Sequence, residues 1–236
     1  MHVVQQFVMK KANKVFCFSR YAQKTLTEHF LLHPVSLQLV RPGIPSELTP
    51  PAKHNTGTPT LFVLSRIEPR KGLFLFLEAL QTLKRSRKKF QAIIYSEYRQ
   101  HSDFVNVFIQ QVRKSGLENH VLPVQHVSRQ NKFRLMSQAD LVVLPSIDLE
   151  TFGFVTLESY ALGVPVCGFA IGANQELIPK QTGLLIPKKS SLALATTIDK
   201  YLSLPWVKKQ HIVNRIRREL KKYKWSTYID SLLKKQ

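Results

Sequence analysis

Leu144-Pro145-Ser146-Ile147-Asp148-Leu149-Glu150-Thr151-Phe152-Gly153-Phe154-Val155-Thr156-Leu157-Glu158 is the most informative stretch of the chain. It follows an apolar run, Leu141 to Leu144, that reads as a buried strand. It leads into Glu158-Ser159-Tyr160-Ala161-Leu162-Gly163, which reads as a helix closed by a glycine. A strand, a tight turn and a helix N-terminus together form a site for phosphate. Backbone N–H groups near Gly153 and Phe154 point outward, and the helix dipole favours an anion there. Glu150 and Glu158, with seven residues between them, flank that site. Two carboxylates beside a phosphate are costly unless they meet hydrogen-bond donors, and sugar hydroxyls are such donors. Eight residues of pure helix set the two about 12 Å apart. A loop entry changes the distance but keeps them at opposite ends of the site. A nucleotide diphosphate sugar has hydroxyls at both ends and phosphates between, and fits this arrangement. The spacing alone is weak evidence, because Glu158 also reads as a solvated helix residue.

Around this stretch, strands and helices alternate. Lys14 to Phe18 reads as a strand, and Ser19 caps a helix from about Arg20 to Leu31 with Ala22, Leu26 and Phe30 on one face. Val35 to Val40 is a second strand. Residues 41 to 58 collect Pro42, Gly43, Pro45, Pro50, Pro51 and Gly57 and read as a linker. Strands follow at Thr60–Leu64, Phe90–Tyr95, Val121–Val124, Leu141–Leu144, Val164–Cys167 and Gly183–Ile186. Helices are expected at Lys71–Arg87, Asp103–Lys114, Arg129–Gln138, Ser191–Leu204, Trp206–Tyr223 and Ser226–Lys234. Apolar strands alternating with helices predict an α/β fold, a parallel sheet covered on both faces, with ligands beyond the carboxyl ends of the strands.

A second motif lies at such an end. In Phe62-Val63-Leu64-Ser65-Arg66-Ile67-Glu68-Pro69-Arg70-Lys71-Gly72, Arg66 and Lys71 stand across a strand-to-helix turn. An arginine fork and a lysine point charge are a usual pair for phosphate. Taken alone, they also read as two exposed cations in a basic protein.

The segment from Glu150 to Glu158, with its preceding Pro145-Ser146 and internal Phe152-Gly153, resembles the Glu-x7-Glu signature of the retaining, family 4 (group 1) glycosyltransferases. Further matches follow in that family's order. Ser65 to Gly72 is similar to its Gly-Arg-loop-Lys-Gly turn, with Ser65 in place of the glycine. Ala139 to Ser146, Ala161 to Val166, Gly172 to Ile178, Thr182 to Pro187 and Lys224 to Tyr228 resemble its later segments. Departures are Ala173 for a second glycine, Lys180-Gln181 for acidic residues, His126 for glycine and Pro45 for aspartate.

The resemblance implies a GT-B protein. Residues 59–236 would be the C-terminal, Rossmann-like, donor-binding domain, 46–58 the linker, and 1–45 a remnant of the N-terminal domain. Arg66 and Lys71 would hold the donor diphosphate and stabilise it as it departs, and Glu150 would hold the transferred sugar, the three together being the catalytic groups. Glu158 would take the ribose, and Phe152, Gly153, Phe154, Val155 and Thr156 would line the donor. No cofactor and no metal is implied: Asp-x-Asp is absent, and the eight histidines show no ligand spacing. The implied activity is transfer of a sugar, with retention, from a UDP-, GDP- or ADP-linked donor to a glycan or lipid-linked acceptor. Lipopolysaccharide, capsule or another cell-surface polysaccharide is the implied product. The alternative is a truncated or split, non-catalytic subunit that binds a nucleotide sugar and needs a separate N-terminal acceptor-domain chain.

Composition limits the other classes. The chain has 236 residues, 44% of them apolar, which is enough to bury a core. No apolar run reaches about 18 residues, so no membrane-spanning helix is expected. The start shows no signal-peptide pattern, and Cys17 and Cys167 read as buried residues in a reducing compartment. The excess of 35 Lys+Arg over 15 Asp+Glu gives +20 and commonly marks an anionic partner. An anionic membrane surface or a lipid-linked acceptor fits, which places the chain in the cytoplasm or peripherally at the inner membrane face. Nucleic acid ranks last, because no recognition pattern for it appears.

Overall fold

The structure, a computed structural model, describes residues 11–30, 37–44, 48, 57–96, 103–125, 128–148 and 150–233. Most of the expected 46–58 linker, together with Leu31, Val35, Ser36, Pro45 and His126, lies outside the described residues.

The described residues begin with a small βαβ unit. Val15–Cys17 (β1) and Leu37–Leu39 (β2) pair in parallel, with Val15 opposite Leu37, and are joined through the helix Arg20–Phe30 (α1). The larger unit is a six-stranded parallel sheet. Its strands are Thr60–Leu64 (β3), Gln91–Ser96 (β4), Val121–Gln125 (β5), Leu141–Leu144 (β6), Val166–Phe169 (β7) and Leu185–Ile186 (β8), in the order β5-β4-β3-β6-β7-β8. Helices Leu73–Arg85 (α2), Asp103–Lys114 (α3), Arg129–Gln138 (α4), Phe154–Ala161 (α5), Asn174–Leu177 (α6), Ser191–Leu202 (α7), Trp206–Leu220 (α8) and Trp225–Leu233 (α9) complete the chain and cover both faces of the sheet. Such coverage is why the central strands have no polar face: Leu61, Phe62, Val63, Leu141, Val142 and Val143 are wholly buried. Asp140 ties the two central strands at their starts. Its carboxylate accepts from Thr60 N at 2.8 Å, and its own N–H donates to Thr60 O at 2.8 Å.

The alternation expected from sequence is present, with element ends shifted by a few residues and differences near two glycines and at one short helix. The helix after β3 starts at Leu73 rather than Lys71, because Gly72 has φ 66° and separates a 3-10 turn, Pro69–Lys71, from α2. The last strand is only Leu185–Ile186, since a second 3-10 turn, Lys180–Thr182, closes on Gly183 just before it. The one-turn helix α6 was not anticipated.

The small unit is fastened to the large one through the start of α1. Ser19 caps α1 as expected, accepting from Ala22 N at 3.0 Å, and its hydroxyl donates to Thr151 O at 2.5 Å. The Glu176 carboxylate accepts from Arg20 N at 3.0 Å and Tyr21 N at 2.8 Å. A helix leaves its first N–H groups without intrahelical acceptors, and an anion there is favoured by the dipole. Glu176 thus supplies from 156 positions away what a local cap supplies elsewhere. Phe18 completes the junction, packing edge-on against Phe152 at 5.6 Å and Phe154 at 6.0 Å. Glu176→Ala is expected to lower the urea unfolding midpoint by the equivalent of about 1 kcal/mol. An unchanged midpoint would contradict this capping role.

Candidate functional site

β3 and β6 lie side by side at the centre of the sheet, with Leu61 opposite Leu141 and Phe62 opposite Val142. From β3 the chain proceeds outward to β4 and β5. From β6 it proceeds the other way, to β7 and β8. The strand order reverses between them, and in an open parallel sheet the crevice beyond the strand ends at such a point is the natural ligand site. Both sequence motifs end there: Arg66 and Lys71 follow β3, and Glu150 to Glu158 follow β6.

The two motifs are joined by side chains and by backbone. Lys71 Nζ lies 2.5 Å from Glu150 Oε1, and Ser146 Oγ donates to the same oxygen at 2.8 Å. The Lys71 and Glu150 side chains are only 15% and 20% exposed, so the pair is shielded from solvent screening. Ile147 N donates to Arg70 O at 3.0 Å. Gly72 packs so closely on the Pro145 carbonyl that a Cβ would overlap it, and Gly172 packs in the same way on the Glu150 carbonyl. Ala173 N donates to Glu150 O at 2.8 Å. Glu150 is therefore held at both its backbone and its carboxylate. The Arg66 guanidinium, also at the end of β3, bonds Glu68 at 2.9 Å, and Arg70 bonds the same carboxylate at 3.0 Å.

Helix α5 begins at Gly153, which caps it with φ 93°. In its first turn, Phe154 and Val155 have N–H groups without an intrahelical acceptor. Of the expected lining residues, Gly153, Phe154 and Val155 reach the surface, and Phe154 is 48% exposed. Phe152 and Thr156 do not. Phe152 packs in a small core with Ile44, Leu157 and Leu177, and Thr156 is fully buried with its N–H donated to Gly153 O. For Thr156 helical periodicity is the reason, since the face of α5 that carries Thr156, Leu157 and Tyr160 is its inner face, whereas Phe152 precedes the Gly153 cap. Thr156 Oγ1 and Asn174 Oδ1 are buried near Gly153 and meet no partner among the described residues.

Glu158 is paired as well. Lys132 Nζ on α4 lies 3.3 Å from each of its carboxylate oxygens. Sequence reasoning missed Lys132, which belongs to no motif. The available signal was a lysine four residues before Met136, on the buried face of α4.

Among the described residues, no group of three or more His, Cys, Asp or Glu is placed to hold a metal ion. Cys17 and Cys167 are both buried, and burial pushes both thiols up, which keeps them unreactive. No helix among the described residues is long and apolar enough to cross a membrane.

A family model described as "Glycosyl transferases group 1" matches residues 46–220. The chain is 26% identical over 230 residues to a glycogen synthase of Mycobacterium tuberculosis, covering 96% of this chain and 54% of that protein. It is 32% identical over 126 residues to the lipopolysaccharide core biosynthesis mannosyltransferase LpsB of Rhizobium meliloti, covering 51% of this chain and 35% of that protein. The chain thus spans about half the length of the first of these relatives. The crystal structure of Anabaena Alr3699/HepE in complex with UDP and glucose superposes with a TM-score of 0.85 at 21% identity, over 99% of this chain and 65% of that one. That likeness shows a shared GT-B fold.

The contact between Gly72 and Pro145 is testable by contrast with Gly183. Both have positive φ, but nothing lies within 4 Å of a Cβ built at Gly183. Gly183→Ala is expected to cost about 1 kcal/mol from backbone strain alone. Gly72→Ala carries a backbone clash in addition and is expected to cost about 2 kcal/mol or more. Equal losses in urea unfolding would contradict the close approach.

Proposed function

This chain belongs to the group 1 glycosyl transferases, and we propose that it transfers a sugar, with retention, from a nucleotide sugar to a hydroxyl of a glycan or lipid-linked acceptor. The product is proposed to be lipopolysaccharide, capsule or another cell-surface polysaccharide. The observation that carries this reading is the meeting of Lys71 and Glu150 at the strand-order switch. A cation and an anion, each largely shielded, are paired there, and the cap of α5, Gly153, follows Glu150 closely in the chain. A diphosphate calls for the first and third of these, and a hexose for the second. Relatives that act on glycogen and lipopolysaccharide core, and a fold neighbour solved with UDP and glucose, support the same reading.

In this proposal the donor diphosphate lies against the N–H groups of Phe154 and Val155. Lys71 has three donors. One stays on Glu150 and the others serve phosphate oxygens. Glu150 accepts from hydroxyls of the transferred sugar, and its fixed position sets where C1 lies. Arg66, which follows β3, adds positive potential on the same side. As the bond from C1 to the diphosphate oxygen breaks, negative charge grows on the leaving group, and Lys71 and the α5 dipole are already oriented to stabilise it. The acceptor oxygen bonds to C1, its proton passes to the departing diphosphate, and net retention requires that the new bond take the face the leaving group held. Glu158 accepts from the ribose diol.

Lys71→Ala and Glu158→Ala are each expected to weaken nucleotide-sugar binding about tenfold or more by titration calorimetry, as loss of a charge-assisted hydrogen bond implies. Unchanged affinity in both would overturn the assignment. For the reaction itself, NMR of the transferred sugar is expected to show the donor's anomeric configuration, and an inverted product would overturn retention.

A further inference from the structure

Lys132 is a lysine in the wrong place for a surface residue. It lies on α4 with Met136 and Ser137 turned to the interior, and it is 9% exposed. A lysine this deep needs a counter-charge, since loss of hydration otherwise disfavours the ammonium. Glu158 supplies it, with both oxygens 3.3 Å away. The ammonium also lies 4.4 Å from the centre of the neighbouring Phe133 ring, which adds a cation–π contact and closes another side. Glu158 is 21% exposed at its side chain, so part of its carboxylate still faces outward while the rest is held.

Two consequences follow from this geometry. A glutamate on a helix has three rotatable side-chain bonds, and contact with both oxygens fixes the plane of the carboxylate and the direction of its remaining lone pairs. The pair is also close to neutral, so a carboxylate can stand near a diphosphate without repelling it. We propose that Lys132 is a positioning residue that presents Glu158 to both hydroxyls of a ribose, and so makes the crevice select ribonucleotide over deoxyribonucleotide donors. This rests on the reading of the crevice as a nucleotide-sugar site. Lys132 itself touches neither the sugar nor the phosphates; it acts through Glu158.

The test measures dissociation constants of UDP, GDP and ADP and of their 2′-deoxy counterparts on the full chain. Variants are Lys132→Met, which fills the same slot without charge, Lys132→Arg, which keeps the charge, Glu158→Ala, and the double variant K132M/E158A. The wild type is expected to prefer the best ribonucleotide over its deoxy form by about tenfold, the loss of one hydrogen bond to a charged group. Lys132→Met is expected to reduce that preference to about threefold or less, Lys132→Arg to retain more of it, and K132M/E158A to discriminate no worse than E158A. If Lys132→Met weakens ribo and deoxy forms equally, or leaves the ratio intact, the positioning role is overturned while the donor site stands. If the wild type binds none of the nucleotides, the donor reading falls and this inference falls with it.

Discussion

Gly72 has no side chain, and the carbonyl of Pro145 fills the space where one would be. That single close approach sets the rest of the site. It brings the turn after β3 against the loop after β6, and the hydrogen bond from Ile147 N to Arg70 O follows from it. With the two backbones in contact, Lys71 and Glu150 have little freedom to do anything but meet. The arrangement depends on the parallel pairing of β3 with β6, which the Asp140–Thr60 bonds hold in register at the opposite end of the strands. Gly172 plays the matching part on the other side, under the carbonyl of Glu150.

The charges around the crevice are arranged in pairs. Each of the two glutamates has a lysine, Lys71 for Glu150 and Lys132 for Glu158, and all four side chains are mostly shielded. Neutral pairs leave the field at the centre to the α5 N-terminus, which favours an anion. The large net charge of the chain is located elsewhere. Helix α8 packs on α5 and buries Ile212 and Ile216, while Lys208, Arg217 and Arg218 stay exposed on it. The charge of +20 therefore describes the surface more than the chemistry of the crevice.

The legible part of the fold was what short-range pattern controls. Leu61 to Leu64 and Leu141 to Leu144 are unbroken apolar runs between turn residues, and they became adjacent central strands. Ser19 was recognisable as a cap from its place before a periodic helix, and it is one. Arg66 and Lys71 follow β3 and Glu150 follows β6, the two strands at which the order reverses. What escaped was long-range. Lys132 finds Glu158 across 26 positions and Glu176 finds Arg20 across 156, and neither local sequence carries a sign of its partner. Phe152 and Thr156 illustrate the converse limit: they belong to the motif, but the helical period turns Thr156 inward, and Phe152, ahead of the helix, packs into a small core with Ile44, Leu157 and Leu177. Gly72 looked like the opening of a helix and is its boundary, because a left-handed residue cannot continue an α-helical turn.

The central claim is that the crevice between the ends of β3 and β6 receives a nucleoside diphosphate. Backbone amide NMR of the labelled chain during titration with UDP, GDP or ADP tests it most directly. The account requires the largest shifts at residues 66–72 and 150–158, with those of Phe154 and Val155 among them, and little change along α8. Shifts concentrated on the basic face of α8, or none for any of the three nucleotides, would contradict it.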